Sequence, residues 1–368
     1  MPRLAQAAGL AILVCLLLPP VPAFGADTVE GTLIVLNKAE ATASLIDLAS
    51  GRVVATVPTG RAPHEVAVSP DGKRAVVTNY GTREEPGSSL TVIDIAGARA
   101  EKTIELKDHR RPHGVEWLSS GLDVVVTSEE KQALIVVDLQ DGLVIRTVKT
   151  DQETSHMVAM APNGRRAFVA NIGSGSVSVI DIEKGERLAN IPTGEGAEGI
   201  TVTPGGKEVW VTNRAADTIT VLNARSLEII KEIPCASFPI RARATPGGKY
   251  VLVSNARSGD LAVFDVATKE EKHRIPLELT AEVTEGRLFG GRFGDSSVPI
   301  GILIEPKGGR AYVANANADV ISIVDLKEWK TDGYLTAGKE PDGLGYSPVI
   351  MGGEGTDDKK ESGEKQGE

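Results

Sequence analysis

The chain is organised by an internal repeat, which limits the folds open to it more than any other feature of the sequence. Each repeat has an alternating apolar run, a turn containing glycine, and a second apolar run that usually ends in asparagine. Five of these segments are VAVSPDGKRAVVTN, VAMAPNGRRAFVAN, ITVTPGGKEVWVTN, ARATPGGKYVLVSN and ILIEPKGGRAYVAN. A third run follows and ends in aspartate or asparagine, as in LTVID and VSVID. Runs of this kind, bounded by turn residues, predict β-strands.

The spacing of the repeat predicts the number of units. The turn glycines are Gly72, Gly121, Gly164, Gly206, Gly248 and Gly308. In the N-terminal region, Asn37 and Asp47 end a second and a third run with the spacing found in most other units, but the first run of this unit is missing. A run that matches the missing one lies around Asp342 near the C-terminus. Four short strands in each unit of about forty residues are typical of a propeller blade. We therefore predict an all-β, seven-bladed β-propeller, closed by pairing of the N-terminal strands with the C-terminal strand.

The two ends of the chain differ from the repeats. Residues 1–26 combine Arg3, a short apolar run over residues 11–18 and small residues near position 25, which is typical of a secretory signal peptide. We expect an exported protein, periplasmic or extracellular, without a membrane span after cleavage. Residues 27–351 are predicted to form the propeller as one domain. Residues 352–368 lack apolar side chains and are predicted to be a disordered acidic tail.

Composition excludes some classes of function. The formal net charge is −10, which argues against a general nucleic-acid-binding protein. There are two cysteines, and Cys15 lies within the predicted signal, so a disulfide-stapled scaffold is excluded. Cys235 is predicted to be a buried core thiol. No nucleophile elbow, phosphate loop or CxxCH haem-attachment motif occurs in the sequence.

The repeats resemble a known family. The segments VTNYG, VANIG, VTNRA and VANAN, the SPDGK turn and the IPTG ending of a fourth strand are similar to the YVTN repeat. Residues from about 31 to 349 thus resemble the YncE-like seven-bladed propellers of the bacterial periplasm and surface. The resemblance implies the fold, whereas function has to be sought where the repeats differ from one another, because a fold does not determine an activity.

The repeats differ at the residue eight before each turn glycine, which we call the rim position because it begins the innermost strand at the mouth of the central channel. Along the chain the rim positions are His64, His113, His156, Glu198, Ile240, Ile300 and, by alignment, Asp342. Three of the five histidines lie there. Neighbouring blades converge on the axis, so these imidazoles can share a ligand or a metal ion. Alternatively, each histidine bonds only within its own blade.

Charged residues also break the pattern in the inner strand of blade five. Arg241 and Arg243 fall on one face of this strand, and Glu116 occupies the equivalent of the Arg243 position in blade two. One interpretation is an ion pair between blades, because buried charges require partners. The other is an anion site, because guanidinium groups suit carboxylate or phosphate.

Two insertions are predicted at the same end of the ring as the rim histidines. One is the long segment ELTAEVTEGRLFGGRFGDSSV, and the other is the GTREEPGSS region of blade one. In repeat proteins, insertions on one face often mark the binding face. Phe289, Arg292 and Phe293 lie among glycines in the long segment and are predicted to form a mobile lid.

Two functions follow from these features. The first is a monomeric binding module that takes up a small anionic ligand, or docks another exported protein, at the channel mouth. Its predicted ligand-binding residues are Arg241, Arg243, Asp342 and Arg292. The alternative is a metal-dependent periplasmic enzyme, a lactonase-like hydrolase or a copper oxidase, with zinc or copper as the metal. Its predicted metal ligands are His64, His113 and His156, with Glu198 as the catalytic acid–base group or a fourth ligand.

Overall fold

Short strands account for most of the regular structure. The computed structural model describes residues 29–282, 284–287 and 289–351. Within these ranges the strands form seven antiparallel sheets of four strands each. One short 3-10 helix, Lys38–Glu40, follows the first strand. In chain order the strands are β1 (Thr32–Asn37), β2 (Thr42–Asp47), β3 (Arg52–Pro58), β4 (Pro63–Val68), β5 (Arg74–Gly81), β6 (Pro86–Asp94), β7 (Arg99–Glu105), β8 (Pro112–Trp117), β9 (Asp123–Ser128), β10 (Ala133–Asp138), β11 (Leu143–Lys149), β12 (Ser155–Met160), β13 (Arg166–Asn171), β14 (Ser176–Asp181), β15 (Glu186–Pro192), β16 (Ala197–Val202), β17 (Glu208–Asn213), β18 (Thr218–Asn223), β19 (Ile229–Pro234), β20 (Pro239–Ala244), β21 (Tyr250–Asn255), β22 (Asp260–Asp265), β23 (Glu271–Pro276), β24 (Pro299–Ile304), β25 (Arg310–Asn315), β26 (Val320–Asp325), β27 (Lys330–Thr336) and β28 (Pro341–Ser347).

Each sheet is one blade of a propeller. Blades one to six are β4–β7, β8–β11, β12–β15, β16–β19, β20–β23 and β24–β27, and blade seven has the order β28, β1, β2, β3. The first strands of successive blades contact one another around a closed ring, from β4 through β8, β12, β16, β20 and β24 to β28 and back to β4. These seven strands surround the central channel, and the fourth strands lie outermost and are largely exposed.

Blade seven closes the ring. Its inner strand β28 comes from the C-terminal part of the chain and pairs antiparallel with β1 from the N-terminal part. Ser347 lies opposite Thr32, and Leu344 lies opposite Val35. Closure of this kind leaves no open gap between the first and last blades. The predicted seven-bladed propeller and its mode of closure are both confirmed.

The hydrophobic core lies between the blades. One cluster joins Val76 and Leu90 of blade one to Val126 and Ile135 of blade two, and similar clusters lie between other neighbouring blades. Burial of these apolar faces against one another is the main favourable contribution to folding. Cys235 lies in such a cluster, and burial raises the pKa of its thiol to about 12. The prediction of a buried core thiol is confirmed.

The repeated polar residues are structural. The turn glycines have positive φ values, as their hairpins require. The aspartates that end the third strands accept hydrogen bonds from backbone N–H groups of the next turn; Asp138, for example, accepts from Gln140 and Asp141. The asparagines that end the second strands behave differently. Asn79 donates to hydroxyl groups of Ser89 and Thr91 on the third strand and accepts from the N–H of Gly60 in the connection from the preceding blade.

The predicted signal peptide and acidic tail lie outside the described residues. Among the residues that the structure does describe, no helix has the length and apolar character needed to cross a membrane.

Candidate functional site

The rim positions lie where the backbone of each inner strand departs from regular pairing. In blade one, two residues of β4, His64 and Glu65, lie opposite the single residue Thr78 of β5. A shift of register occurs at the same place in the inner strand of every blade. Such a bulge re-aims a side chain away from the regular alternation of the strand. The rim side chains are thereby placed in the channel wall instead of the core between blades.

Hydroxyl groups of the second strands hold the rim backbone in place. Thr78 Oγ1 donates to the carbonyl oxygen of His113 at 2.9 Å, and Thr127 Oγ1 donates to that of His156 at 2.6 Å. Each bond joins one blade to the rim residue of the next blade. Equivalent bonds from blades four and five join Thr212 to Ile240 and Ser254 to Ile300. The Thr or Ser before the strand-end asparagine or serine therefore fixes the position of the neighbouring rim residue.

A cavity of about 280 Å³ lies at the channel mouth. All seven rim positions line it: His64, His113, His156, Glu198, Ile240, Ile300 and Asp342. A second ring of wall residues comes from the position that follows each strand-end Asn or Ser. Four of these residues line the cavity: Tyr80, Glu129, Ile172 and Arg214. The cavity thus brings together the titratable residues in which the repeats differ.

The three rim histidines are neighbours, as the sequence predicts. The ring centroids of His113 and His156 are 3.5 Å apart and those of His64 and His113 are 5.1 Å apart. His64 donates from Nδ1 to the carbonyl oxygen of Ala62. Burial, together with Lys38, lowers the pKa of His64 to about 3, and burial beside His156 holds the pKa of His113 well below its usual value. Both imidazoles are therefore neutral near pH 7.

The geometry of the described residues includes no group of three or more His, Cys, Asp or Glu side chains placed to hold a metal ion. The rings of His113 and His156 instead lie against each other at a 33° angle. The role of the three histidines as metal ligands stays a prediction.

His156 belongs to a chain of hydrogen-bonded titratable groups. Its Nδ1 donates to Glu129 at 2.5 Å, and its Nε2 lies 3.4 Å from a carboxylate oxygen of Glu198. The hydroxyl of Tyr80 donates to the other oxygen of Glu129 at 2.6 Å. Burial alone would lower the pKa of His156, but the bonds to the two carboxylates raise it above its usual value. His156 is therefore the rim histidine best placed to carry a positive charge.

Arg241 bridges two carboxylates across the channel. Its Nη2 atom donates to Glu65 at 2.8 Å and its Nη1 atom donates to Glu198 at 2.9 Å. The second oxygen of Glu198 contacts Arg214. Although burial alone would raise the pKa of Glu198, Arg214 and His156 lower it below its usual value. Arg241 thus forms an ion pair between blades, which is one of the two interpretations that the sequence allows. The predicted contact of Arg241 with a ligand stays a prediction.

The bridge marks a boundary within the channel. Arg241 lines the mouth cavity and also a second cavity of about 460 Å³. Glu116, Trp117 and Arg243 line this second cavity, so Arg243 lies on the far side of the bridge from the rim histidines. Arg243 is exposed and donates to the carbonyl oxygen of Ile302. Trp117 is partly buried; it lines this second cavity and also packs against the core cluster between blades one and two.

Asp342 and Lys38 occupy the blade-seven part of the wall. Lys38 Nζ lies 3.4 Å from one oxygen of Asp342 and 3.2 Å from Glu340. Asp342 is only 2% exposed, and its second oxygen, Oδ1, has no hydrogen-bond partner among the described residues. The Nδ1 atom of His113 is likewise buried without a partner there.

The long insertion contributes to the same site. Phe289 lines the mouth cavity and packs with Phe293 and Phe238, with ring centroids 4.9 to 5.5 Å apart. Arg292 lies over the rings of Phe238 and Phe293 and is not among the residues that line either cavity. Since Tyr80 lines the cavity and immediately precedes the blade-one insertion, both insertions lie at the rim face, as predicted.

Sequence reasoning missed the second ring. Lys38, Tyr80, Glu129 and Arg214 each follow the repeated asparagine or serine of a second strand, and the equivalent residues of blades three, five and six are Ile172, Ala256 and Ala316. This position differs between repeats as much as the rim position does. The same comparison between repeats would therefore have found it.

The fold and the mouth cavity together define a seven-bladed β-propeller with a polar site at one end of its channel. Residues 117–280 match the family model described as YNCE-like beta-propeller, which confirms the resemblance seen in the repeats. A solved structure described as Kuenenia stuttgartiensis hydrazine synthase is similar with a TM-score of 0.63 and 18% identity, over 76% of this chain and 88% of that chain. A functionally unknown protein from Desulfotomaculum acetoxidans DSM 771 is similar with a TM-score of 0.70 and 14% identity, over 86% and 99%. At these identities the likeness shows the fold alone. A comparison with curated proteins found no match.

Proposed function

We propose that the chain is a binding module that takes a small ligand into the mouth cavity. The observation that carries this proposal concerns two buried polar atoms of the cavity wall, His113 Nδ1 and Asp342 Oδ1, for which the described residues supply neither a hydrogen bond nor an ion pair. Buried polar atoms in proteins almost always have a hydrogen-bond partner. A ligand with polar groups would supply these partners, and a cavity of about 280 Å³ suits a small molecule.

The test compares a cavity-filling variant with a matched surface variant. Ile172 is half-buried and lines the cavity, whereas Ile145 is 57% exposed on an outer strand. Calorimetry is performed with butylammonium, butyrate, 1-butanol, glycerol and zinc chloride as probes. We expect at least one probe to bind the wild type saturably, to lose this binding in Ile172→Trp, and to keep it in Ile145→Trp. If no probe binds, or if the two variants behave alike, the mouth cavity is not a ligand site.

The alternative is a metal-dependent enzyme at the same position. It is supported by the neutral state of His64 and His113, because neutral imidazole is the form that coordinates metal ions. Under this alternative, purified protein holds zinc or copper in a one-to-one ratio and loses it in His113→Ala. Metal-free protein whose stability is unchanged by added zinc or copper would exclude it.

We also propose, from the pattern of residues 1–26, that the propeller acts outside the cytoplasm. N-terminal sequencing of the protein recovered from the cell envelope is expected to begin near residue 26, and a sequence beginning at Met1 or Pro2 would contradict export.

A further inference from the structure

The cations around the mouth cavity are already bound to carboxylates. Lys38, Arg214 and Arg241 each contact at least one carboxylate, and so does His156, whose pKa is raised. Lys38, for example, lies 3.2 Å from Glu340 and 3.4 Å from Asp342. An anionic ligand would have to displace a carboxylate from its cation, and a buried charge left without its partner is strongly unfavourable. The wall therefore does not favour an anion.

Hydrogen-bond acceptors, in contrast, remain available in the wall. Asp342 Oδ1 has no partner among the described residues. Nδ1 of His64 donates its proton to the carbonyl oxygen of Ala62, and in this tautomer the Nε2 atom is an acceptor. Asp342 and His64 line the cavity from the adjoining inner strands β28 and β4, and the charge of Asp342 acts on the His64 imidazole. An ammonium group offers three donors and suits adjacent acceptors of this kind.

An adjoining part of the cavity wall is apolar. The rim residues of blades five and six are Ile240 and Ile300, each 1% exposed, and Phe289 of the long insertion lies beside them in the cavity wall. Asp342 belongs to the next blade of the ring after Ile300. An acceptor-rich surface and an apolar surface thus meet within one small cavity.

We infer that the ligand of this cavity is a small primary alkylammonium ion, with its ammonium group bound by Asp342 and His64 and its hydrocarbon part packed against Ile240, Ile300 and Phe289. The inference rests on the proposed function and adds the charge and shape of the ligand. Burial of the hydrocarbon part favours binding because it removes apolar surface from water.

The test uses three probes of equal chain length, butylammonium, butyrate and 1-butanol, at matched ionic strength. Calorimetry of the wild type is expected to give saturable binding of butylammonium at least about tenfold tighter than that of the other two. Asp342→Asn, which preserves the size of the side chain, is expected to weaken butylammonium binding about tenfold or more. Asp141→Asn is the matched control, since Asp141 is exposed in a distant hairpin, and it leaves the affinity unchanged.

A second variant tests the apolar part independently of Asp342. Phe289 lies in the insertion outside the blades, so Phe289→Ala leaves the sheets intact. It is expected to weaken butylammonium binding more than methylammonium binding, because only the longer chain reaches the apolar surface.

Three outcomes overturn the inference. Butyrate or butanol binding as tightly as butylammonium would overturn it while supporting the proposed function. Butylammonium binding that Asp342→Asn does not weaken would place the cation elsewhere and also overturn it. Absence of binding by every probe, including those named under the proposed function, would overturn both proposals.

Discussion

Buried, neutral His64 makes the stability of the propeller depend on pH in a predictable way. His64 is 7% exposed, and its pKa is lowered from 6.5 to about 3 by burial and by Lys38, while Asp342 and the bond to Ala62 oppose this shift. A group whose pKa is lowered in the folded state stabilises the fold above its unfolded pKa, and this stabilisation is lost as the pH falls. We therefore expect the free energy of unfolding to decrease below pH 6.5.

The size of the effect follows from the two pKa values. Each unit of pH between the unfolded and folded pKa changes the free energy of unfolding by about 1.4 kcal/mol for one group. Between about pH 7.5 and pH 4.5, His64 alone accounts for a loss of about 3 kcal/mol. His113 contributes in the same direction, because its pKa is also lowered. His156 has a raised pKa and acts in the opposite direction: its stabilisation is present at low pH and is lost as the pH rises through its folded pKa.

The variant His64→Asn isolates this contribution. Asparagine does not titrate, and its amide group can still donate to the carbonyl oxygen of Ala62, the acceptor of the His64 bond. Urea unfolding is followed by the fluorescence of buried Trp210 at several pH values from about 7.5 to 4.5. The wild type is expected to lose about 3 kcal/mol more stability than the variant over this interval. Parallel loss in both proteins would refute the conclusion that His64 is held neutral by burial.

Three further predictions concern the contacts that position the site. Arg241→Met leaves Glu65 and Glu198 without their shared cation and is expected to reduce the free energy of unfolding by about 3–5 kcal/mol in urea titrations; addition of Glu65→Gln should restore part of it, and a larger loss in the double variant would contradict the bridge. Thr78→Val removes the bond to the next blade and is expected to cost about 1–3 kcal/mol, whereas Thr78→Ser keeps most of the stability; equal losses would refute the role of the hydroxyl. Cys235 is expected to react with a thiol reagent only when the protein unfolds, because its thiol is buried and its pKa is raised to about 12; rapid labelling of native protein would contradict this.

The sequence was sufficient to predict the fold because the relevant information is local and repeated. The turn glycines and the alternating runs determine the strands, and the interval between them determines the blades. The closure of blade seven followed from one incomplete unit at each end, Asn37 to Asp47 and the strand around Asp342. These features need no knowledge of which side chains meet across the channel.

The site could be predicted only in part, because its chemistry depends on distances between blades. The position that holds His64, His113 and His156 was visible as a difference between repeats. The pairing of Arg241 with Glu65 was not, because these residues are separated by 176 positions and meet only across the channel. The arrangement of the imidazole rings was equally invisible, since it depends on the bulge that places each rim residue in the wall.

The bulge also explains why the rim can differ between blades while the blades remain alike. Because a rim side chain leaves the regular alternation of its strand, it does not enter the core between blades, and Ile240 or His113 can occupy the position without a change in the sheet. Polar rim residues are nevertheless buried, and their charges are stable only where partners compensate the loss of water. Such partners are present for Glu198 and His156, whereas the part of the chain that the structure describes offers none to Oδ1 of Asp342 or Nδ1 of His113. These two atoms are therefore where a bound ligand would add most to the stability of the folded protein, and a rise in melting temperature on binding should depend on Asp342 more than on Glu198.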